Sequence, residues 1–149
     1  MEKKTACYIC SGCGIGDALD VDELQKIASG EYKAPVVKTH EAFCGPAGLE
    51  TIKNDIENEG VNTLVIAACS PRVMTDVFSF EGCILDRVNL REQVVWATEP
   101  NDELDDPAED IQMMAEDYVR MGMVKVAKME LPEPYLGPDG EETKWSEDI

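Results

Sequence analysis

The sequence predicts an α/β domain, with a parallel sheet of about four strands between layers of helix in the Rossmann-like or flavodoxin-like three-layer manner and an irregular C-terminal tail. Three observations predict it. Apolar runs alternate with amphipathic stretches, the pattern of successive strand–helix–strand units. Thr63-Leu64-Val65-Ile66-Ala67-Ala68-Cys69 is apolar almost throughout, as a strand covered on both faces must be. Helix-starting and helix-ending residues fall between the runs, at Asp20, Gly30, Pro46 and Gly60. A chain of 149 residues suits one such domain and can bury a core without disulfides to hold it.

In order, the first strand is expected over Thr5 to Cys10, followed by a glycine-rich loop holding Gly12, Gly14 and Gly16. A helix begins at Asp20 as N-cap, with Glu23 at the capping-box position, and closes at Gly30. The second strand, Pro35 to about His40, leads to a helix opened by Pro46, with Leu49, Ile52 and Ile56 on its apolar stripe and Gly60 at its end. Thr63 to Cys69 is the third strand, and Ser70-Pro71 is expected to open a short helix reaching Phe78. The fourth strand is Cys83 to about Val88, followed by a loop through Gln93 and an apolar piece, Val94 to Trp96. The longest helix starts near Pro107 and presents Ile111, Met114, Ala115, Tyr118, Met121 and Gly122 on one face; its methionines read as core. Its acids lie in the first turn and its lysines in the last, matching the helix dipole. The expected strand order is 2-1-3-4, with residues 1–130 forming the domain and 131–149 a linker or flexible tail.

Thirteen lysines and arginines against 31 aspartates and glutamates leave a formal charge of −18. So acidic a protein repels phosphate backbones and anionic membranes, which argues against nucleic-acid binding. No apolar run approaches the roughly 20 residues of a membrane span, and the N-terminus lacks the apolar stretch of a signal peptide. The expected location is the cytoplasm, with no direct membrane insertion.

Six cysteines are the feature to explain. In a reducing compartment they are metal ligands, redox thiols or small core residues rather than disulfides. Cys10 and Cys13 fall at and just beyond the first strand, Cys44 follows the second, and Cys69 ends the third. In a parallel sheet those strand ends share one edge, where ligands of such folds bind. Cys83 falls at the opposite edge, and Cys7, three residues before Cys10, points to the other face of its strand. The four converging thiols suit zinc or an iron–sulfur cluster. One C-x2-C, then 30 residues to Cys44 and 24 more to Cys69, lacks the two paired knuckles of a zinc ribbon and favours a 4Fe–4S cubane. Small residues nearby (Gly12, Gly14, Gly45, Ala67, Ala68) leave room for it, and helices starting at Pro46 and Ser70 would point positive dipole ends at it.

Cys10-Ser11-Gly12-Cys13-Gly14-Ile15-Gly16, Cys44-Gly45-Pro46-Ala47-Gly48, Ala67-Ala68-Cys69-Ser70-Pro71-Arg72 and Asn89-Leu90-Arg91-Glu92-Gln93 together resemble the N-terminal domain of the heterodisulfide reductase A-subunit family. Within it, Val61 to Phe78 and Ala115 to Gly122 are most similar to the branch found in the quinone-interacting membrane-bound oxidoreductase of sulfate reducers. The resemblance covers about residues 4 to 135. It implies a flavin and iron–sulfur electron carrier whose 4Fe–4S ligands here are Cys10, Cys13, Cys44 and Cys69. The partners it implies are flavin-containing oxidoreductase subunits and a membrane quinone-linked subunit, with adenylylsulfate reductase as a candidate cytoplasmic one. FAD would belong to a following domain outside these 149 residues.

Four other readings are weighed. A dithiol oxidoreductase built on Cys10 and Cys13 needs a helix N-terminus to activate a thiolate, and Gly14 and Gly16 delay the expected helix. It also leaves Cys44 and Cys69 unexplained. A structural zinc module that docks a partner would use the same four thiols but stay redox-silent. A nucleotide loop from Gly12 or Gly14 would need glycine where Asp17 or Leu19 stands. A hydrolase has no support: His40, the one histidine, has no nucleophile elbow and reads as a satisfied polar side chain. Arg72 is expected beside the cysteines or in a salt bridge to the acidic surface, and Arg91 at the same edge, where it would dock a flavin domain.

Overall fold

In the computed structural model, which describes residues 2–133 and residue 136, four strands pair in parallel in the order β2-β1-β3-β4. These are β1 (Thr5–Cys10), β2 (Val36–His40), β3 (Thr63–Ala68) and β4 (Ile84–Asn89). The expected order is the observed one, and it sends the chain outward in both directions from β1 and β3. β1 and β3 are central and buried along nearly their whole length, whereas β2 is a half-exposed edge. Cys10 pairs with His40, and Ala68 with Asn89, so the four strands end nearly level.

The helices are α1 (Ile15–Ala18), α2 (Val21–Lys26), α3 (Pro46–Glu59) and α4 (Glu109–Lys128). α1 is a single turn where the sequence predicts a plain loop, and α2 runs on into a π-helical turn, Ile27–Glu31. Asp20 caps α2 by accepting from Asp22 and Glu23 N–H. Glu23 does not complete the capping box: it pairs with Lys26, and the Asp20 N–H donates to Gln112 Oε1 on α4 at 2.9 Å. α3 starts at Pro46 and ends at Gly60, whose φ of 69° is the left-handed stop a glycine permits. The helix expected over 70–78 does not form. That segment is a series of turns, and Ser70 Oγ caps one by accepting from Arg72 N–H at 3.2 Å. After β4, Arg91–Val95 makes a π-helical turn in place of the expected loop and apolar piece.

α2 and α4 cover one face of the sheet and α3 the other. On the first face α4 lies so close to β4 that a Cβ on Gly122 would stand 2.4 Å from Val88 Cγ2. The expected methionine core is overturned here. Met113, Met114 and Met121 are 54%, 36% and 56% exposed, and of the helix's methionines only Met123 is buried, beside Ile111, Ala115, Val119 and Val126. The predicted stripe is about one residue out of phase: the buried set repeats at 111, 115, 119, 122, 123 and 126. On the other face a buried aspartate breaks the apolar stripe of α3. Asp55 accepts from Tyr8 Oη at 3.0 Å and from Lys38 Nζ at 2.6 Å. The predicted tail lies almost wholly outside the described residues. Among the described residues no helix is long and apolar enough to cross a membrane.

Candidate metal centre

Strand polarity delivers the site. Cys10 is the last residue of β1, Cys69 follows β3, and Cys13 and Cys44 sit in the loops that leave β1 and β2. All four line one cavity of about 90 Å³ at the carboxyl edge of the sheet, together with Ile15, Ala42, Phe78 and Arg91. Cys7 is fully buried within β1, and Cys83 precedes β4 at the opposite edge, so neither reaches the cavity. All six are free thiols.

The loops are shaped by close backbone approach. A Cβ on Gly12 would lie 2.1 Å from the Glu41 carbonyl oxygen, and one on Gly48 2.4 Å from Phe43 Cα. Glycine at these positions lets the loop after β1 touch the loop after β2, and lets the Cys44 loop press onto α3. Cys13 (φ 54°) and Met74 (φ 56°) both take the left-handed conformation that side chains disfavour, and both line the cavity. Strain of this kind persists where the surroundings over-determine it, often at a functional site. His40 is a satisfied polar side chain as expected: its Nδ1 accepts from Ala42 N–H at 2.9 Å, fixing the turn before Cys44.

Burial pushes the Cys10 thiol up to about 11; the Phe43 backbone N–H opposes this, and the neighbouring Cys44, Cys69 and Cys13 add to it. A raised thiol is the reverse of what an activated dithiol needs. Among the described residues, no three His, Cys, Asp or Glu side chains are gathered tightly enough to hold a metal ion. The four thiols are instead set around a shared cavity. A tetrahedral zinc would draw its sulfurs to within about 3.8 Å of one another, from a Zn–S bond of ~2.3 Å. A larger inorganic core would let them stand further apart.

Of the two arginines expected at this edge, one is there. Arg72 is exposed and does not line the cavity. Three residues from Cys69 along the chain, it is carried outward by the turns of that segment, and among the described residues it makes no salt bridge. Arg91 does line the cavity, donating to Glu92 Oε1 from Nε at 3.1 Å and Nη2 at 2.7 Å and lying 4.8 Å over the Trp96 ring. Sequence reasoning missed Arg87, on β4, whose Nη2 lies 3.4 Å from Cys69 Sγ. The available signal was a charged pair, Asp86-Arg87, in the middle of a strand flanked by Ile84, Leu85 and Val88.

Fold and site together define an α/β domain with a four-thiol pocket on the carboxyl edge of its sheet. No protein-family model matches the chain. It is 33% identical over 137 residues to the A subunit of the H(2):CoB-CoM heterodisulfide,ferredoxin reductase of Methanothermobacter thermautotrophicus, covering 87% of this chain and 20% of that protein. It is 30% identical over 139 residues to an iron-sulfur A subunit of the CoB--CoM heterodisulfide reductase of Methanopyrus kandleri, with the same coverage. The A subunit of the ferredoxin:CoB-CoM heterodisulfide reductase of Methanosarcina mazei is 34% identical over 127 residues, covering 79% of this chain and 15% of that protein. Homologues over most of this chain are thus heterodisulfide reductase A subunits, and the chain spans a fifth or less of the length of these relatives.

Proposed function

We propose that Cys10, Cys13, Cys44 and Cys69 hold one 4Fe–4S cluster and that the domain relays single electrons without making or breaking bonds itself. The observation that carries this is the convergence of four thiols from three strand ends on one cavity, with the remaining two cysteines kept out of it. One C-x2-C followed by two separate cysteines, without the second paired knuckle of a zinc ribbon, favours a cluster over a single zinc ion. The Methanopyrus relative, named as an iron-sulfur protein, supports the same reading. When bound, the cluster supplies one-electron storage. The chain's own part is to hold the four sulfurs, to exclude water with Ile15 and Phe78, and to aim the Phe43 N–H at Cys10.

In this reading residues 1–130 are the cluster domain and 131–149 a linker or tail. The domain works in the cytoplasm beside flavin-containing oxidoreductase subunits, with FAD held outside this chain. The finer assignment is a counterpart of the B subunit of the quinone-interacting membrane-bound oxidoreductase of sulfate respiration. Its electrons would pass between a membrane-bound, quinone-linked protein and a cytoplasmic partner such as adenylylsulfate reductase. The test is anaerobic purification and reconstitution, followed by iron and acid-labile sulfide determination. About four of each per chain, with broad absorbance near roughly 400 nm that bleaches with dithionite, is the expected result. One zinc per chain would leave a structural docking module, and no metal would leave the Cys10–Cys13 dithiol.

A further inference from the structure

Arg87 is half-buried and has no carboxylate of its own. Its Nη1 donates to the Val73 carbonyl at 3.2 Å, and its Nη2 lies 3.2 Å from the Cys69 carbonyl, 3.1 Å from that of Ser70 and 3.4 Å from Cys69 Sγ. The guanidinium packs 4.3 Å over the Phe78 ring. Its Nε is buried without a hydrogen-bond partner, and among the described residues Arg87 makes no salt bridge. The acid nearest at hand, Glu92, is engaged twice over: Oε1 by Arg91 and Oε2 by the Ser70 N–H at 2.7 Å. Of the two cations at this edge, Arg91 is paired with Glu92, and Arg87 is left without a salt bridge. A cation withdrawn from water without a counter-charge is costly, and burial accordingly pushes Arg87 below the usual arginine range. The sulfur it touches is that of Cys69, and Glu92, already engaged by Arg91 and Ser70, acts on it only from further off.

We propose that Arg87 is the fixed counter-charge of the thiol-lined cavity and raises the reduction potential of the group held there. The inference rests on the cluster reading above. Four thiolates around a cluster carry net negative charge, and one added electron deepens it. A fixed positive charge at Cys69 stabilises the more negative state more, so reduction becomes easier. Arg87 acts through Cys69 and is a positioning residue. Arg91, which lines the cavity, differs in having Glu92 as its carboxylate partner.

The test compares wild type, Arg87→Gln, Arg87→Met and Arg87→Lys, each reconstituted without oxygen. Iron and sulfide per chain, far-ultraviolet circular dichroism and a dye-mediated redox titration are measured on each. Wild type is expected to hold about four irons and four sulfides per chain. The Gln and Met variants, whose side chains can still pack on Phe78, should hold the cluster at lower potential. Poised at the wild-type midpoint they should be oxidised over reduced on the order of tenfold, a one-electron shift of about 59 mV. Arg87→Lys, which keeps the charge without the guanidinium fork, should stay within about threefold of wild type on the same scale. Neutral variants with a full cluster and an unchanged midpoint would assign Arg87 to the 69–73 loop alone and overturn the inference. Neutral variants that unfold before taking up iron would do the same. A wild-type protein that takes up no iron would sink the cluster reading and this inference together, and is recognised before any variant is compared.

Discussion

The two ends of the sheet carry the same kinds of side chain and treat them oppositely. At the amino end, where the helices finish, two lysines meet helix carbonyls: Lys3 Nζ donates to the Val126, Ala127 and Met129 carbonyls, and Lys4 Nζ to that of Glu59. These cations answer the negative ends of α4 and α3 and remain partly in water. At the carboxyl end two arginines lie over aromatic rings beside thiols, and one of them lacks a carboxylate. The cysteines divide in the same way, with four gathered at the carboxyl end and Cys83 left at the other. A parallel sheet creates this difference because all strands end together. One edge collects the loops and helix N-termini, the other the helix C-termini, and chemistry accumulates where backbone N–H groups are free.

The comparison breaks most sharply by exchanging cysteines. Cys10→Ser should lower iron after anaerobic reconstitution from about four per chain to near zero, while Cys83→Ala keeps it. Equal loss from both would abolish the distinction between the ends. Next in size is the loop contact. Gly12→Ala places a Cβ 2.1 Å from a backbone oxygen that cannot swing aside, so a loss of about 3 kcal/mol by denaturant titration is expected, with lower iron loading. Gly60→Ala, at the amino end, meets only its positive φ and should cost about 1 kcal/mol. Asp55→Ala leaves a buried Tyr8 hydroxyl and the Lys38 ammonium without their acceptor. About 2 kcal/mol of stability should disappear while iron loading is kept, since this network lies away from the cavity. The reading of α4 is sharpened by a pair: Met123→Ala should cost about 2–4 kcal/mol, whereas Met121→Gln should have the smallest effect of all, within about 0.5 kcal/mol.

Much of this arrangement was legible in the chain itself. Alternating apolar runs, Pro46 at a helix start and Gly60 at its stop are local signals, and local signals survive folding because they act within a few residues. The strand ends carrying Cys10, Cys44 and Cys69 follow from the same signals, and so does the separation of Cys83. The 70–78 segment misleads because Ser70-Pro71 is an equally good opening for a turn. Without a strong apolar stripe behind it, the turn wins. The methionines of α4 mislead because two phases of one helical period are nearly equivalent in apolar content. Only packing against the sheet, which buries Val119, Met123 and Val126, selects between them.

The sequence by itself determined the class of fold, the strand order and the four cysteines that share an edge, since each depends on spacing and on the polarity of a parallel sheet. Tertiary structure alone decided which cations meet those sulfurs. Arg87 lies 18 residues from Cys69, on a different strand, and reaches it because β3 and β4 pair with Ile66 beside Arg87. Arg72, only three residues away, is turned out to solvent. Proximity along the chain sets what a residue can form locally, whereas register and packing set which charge is left facing which.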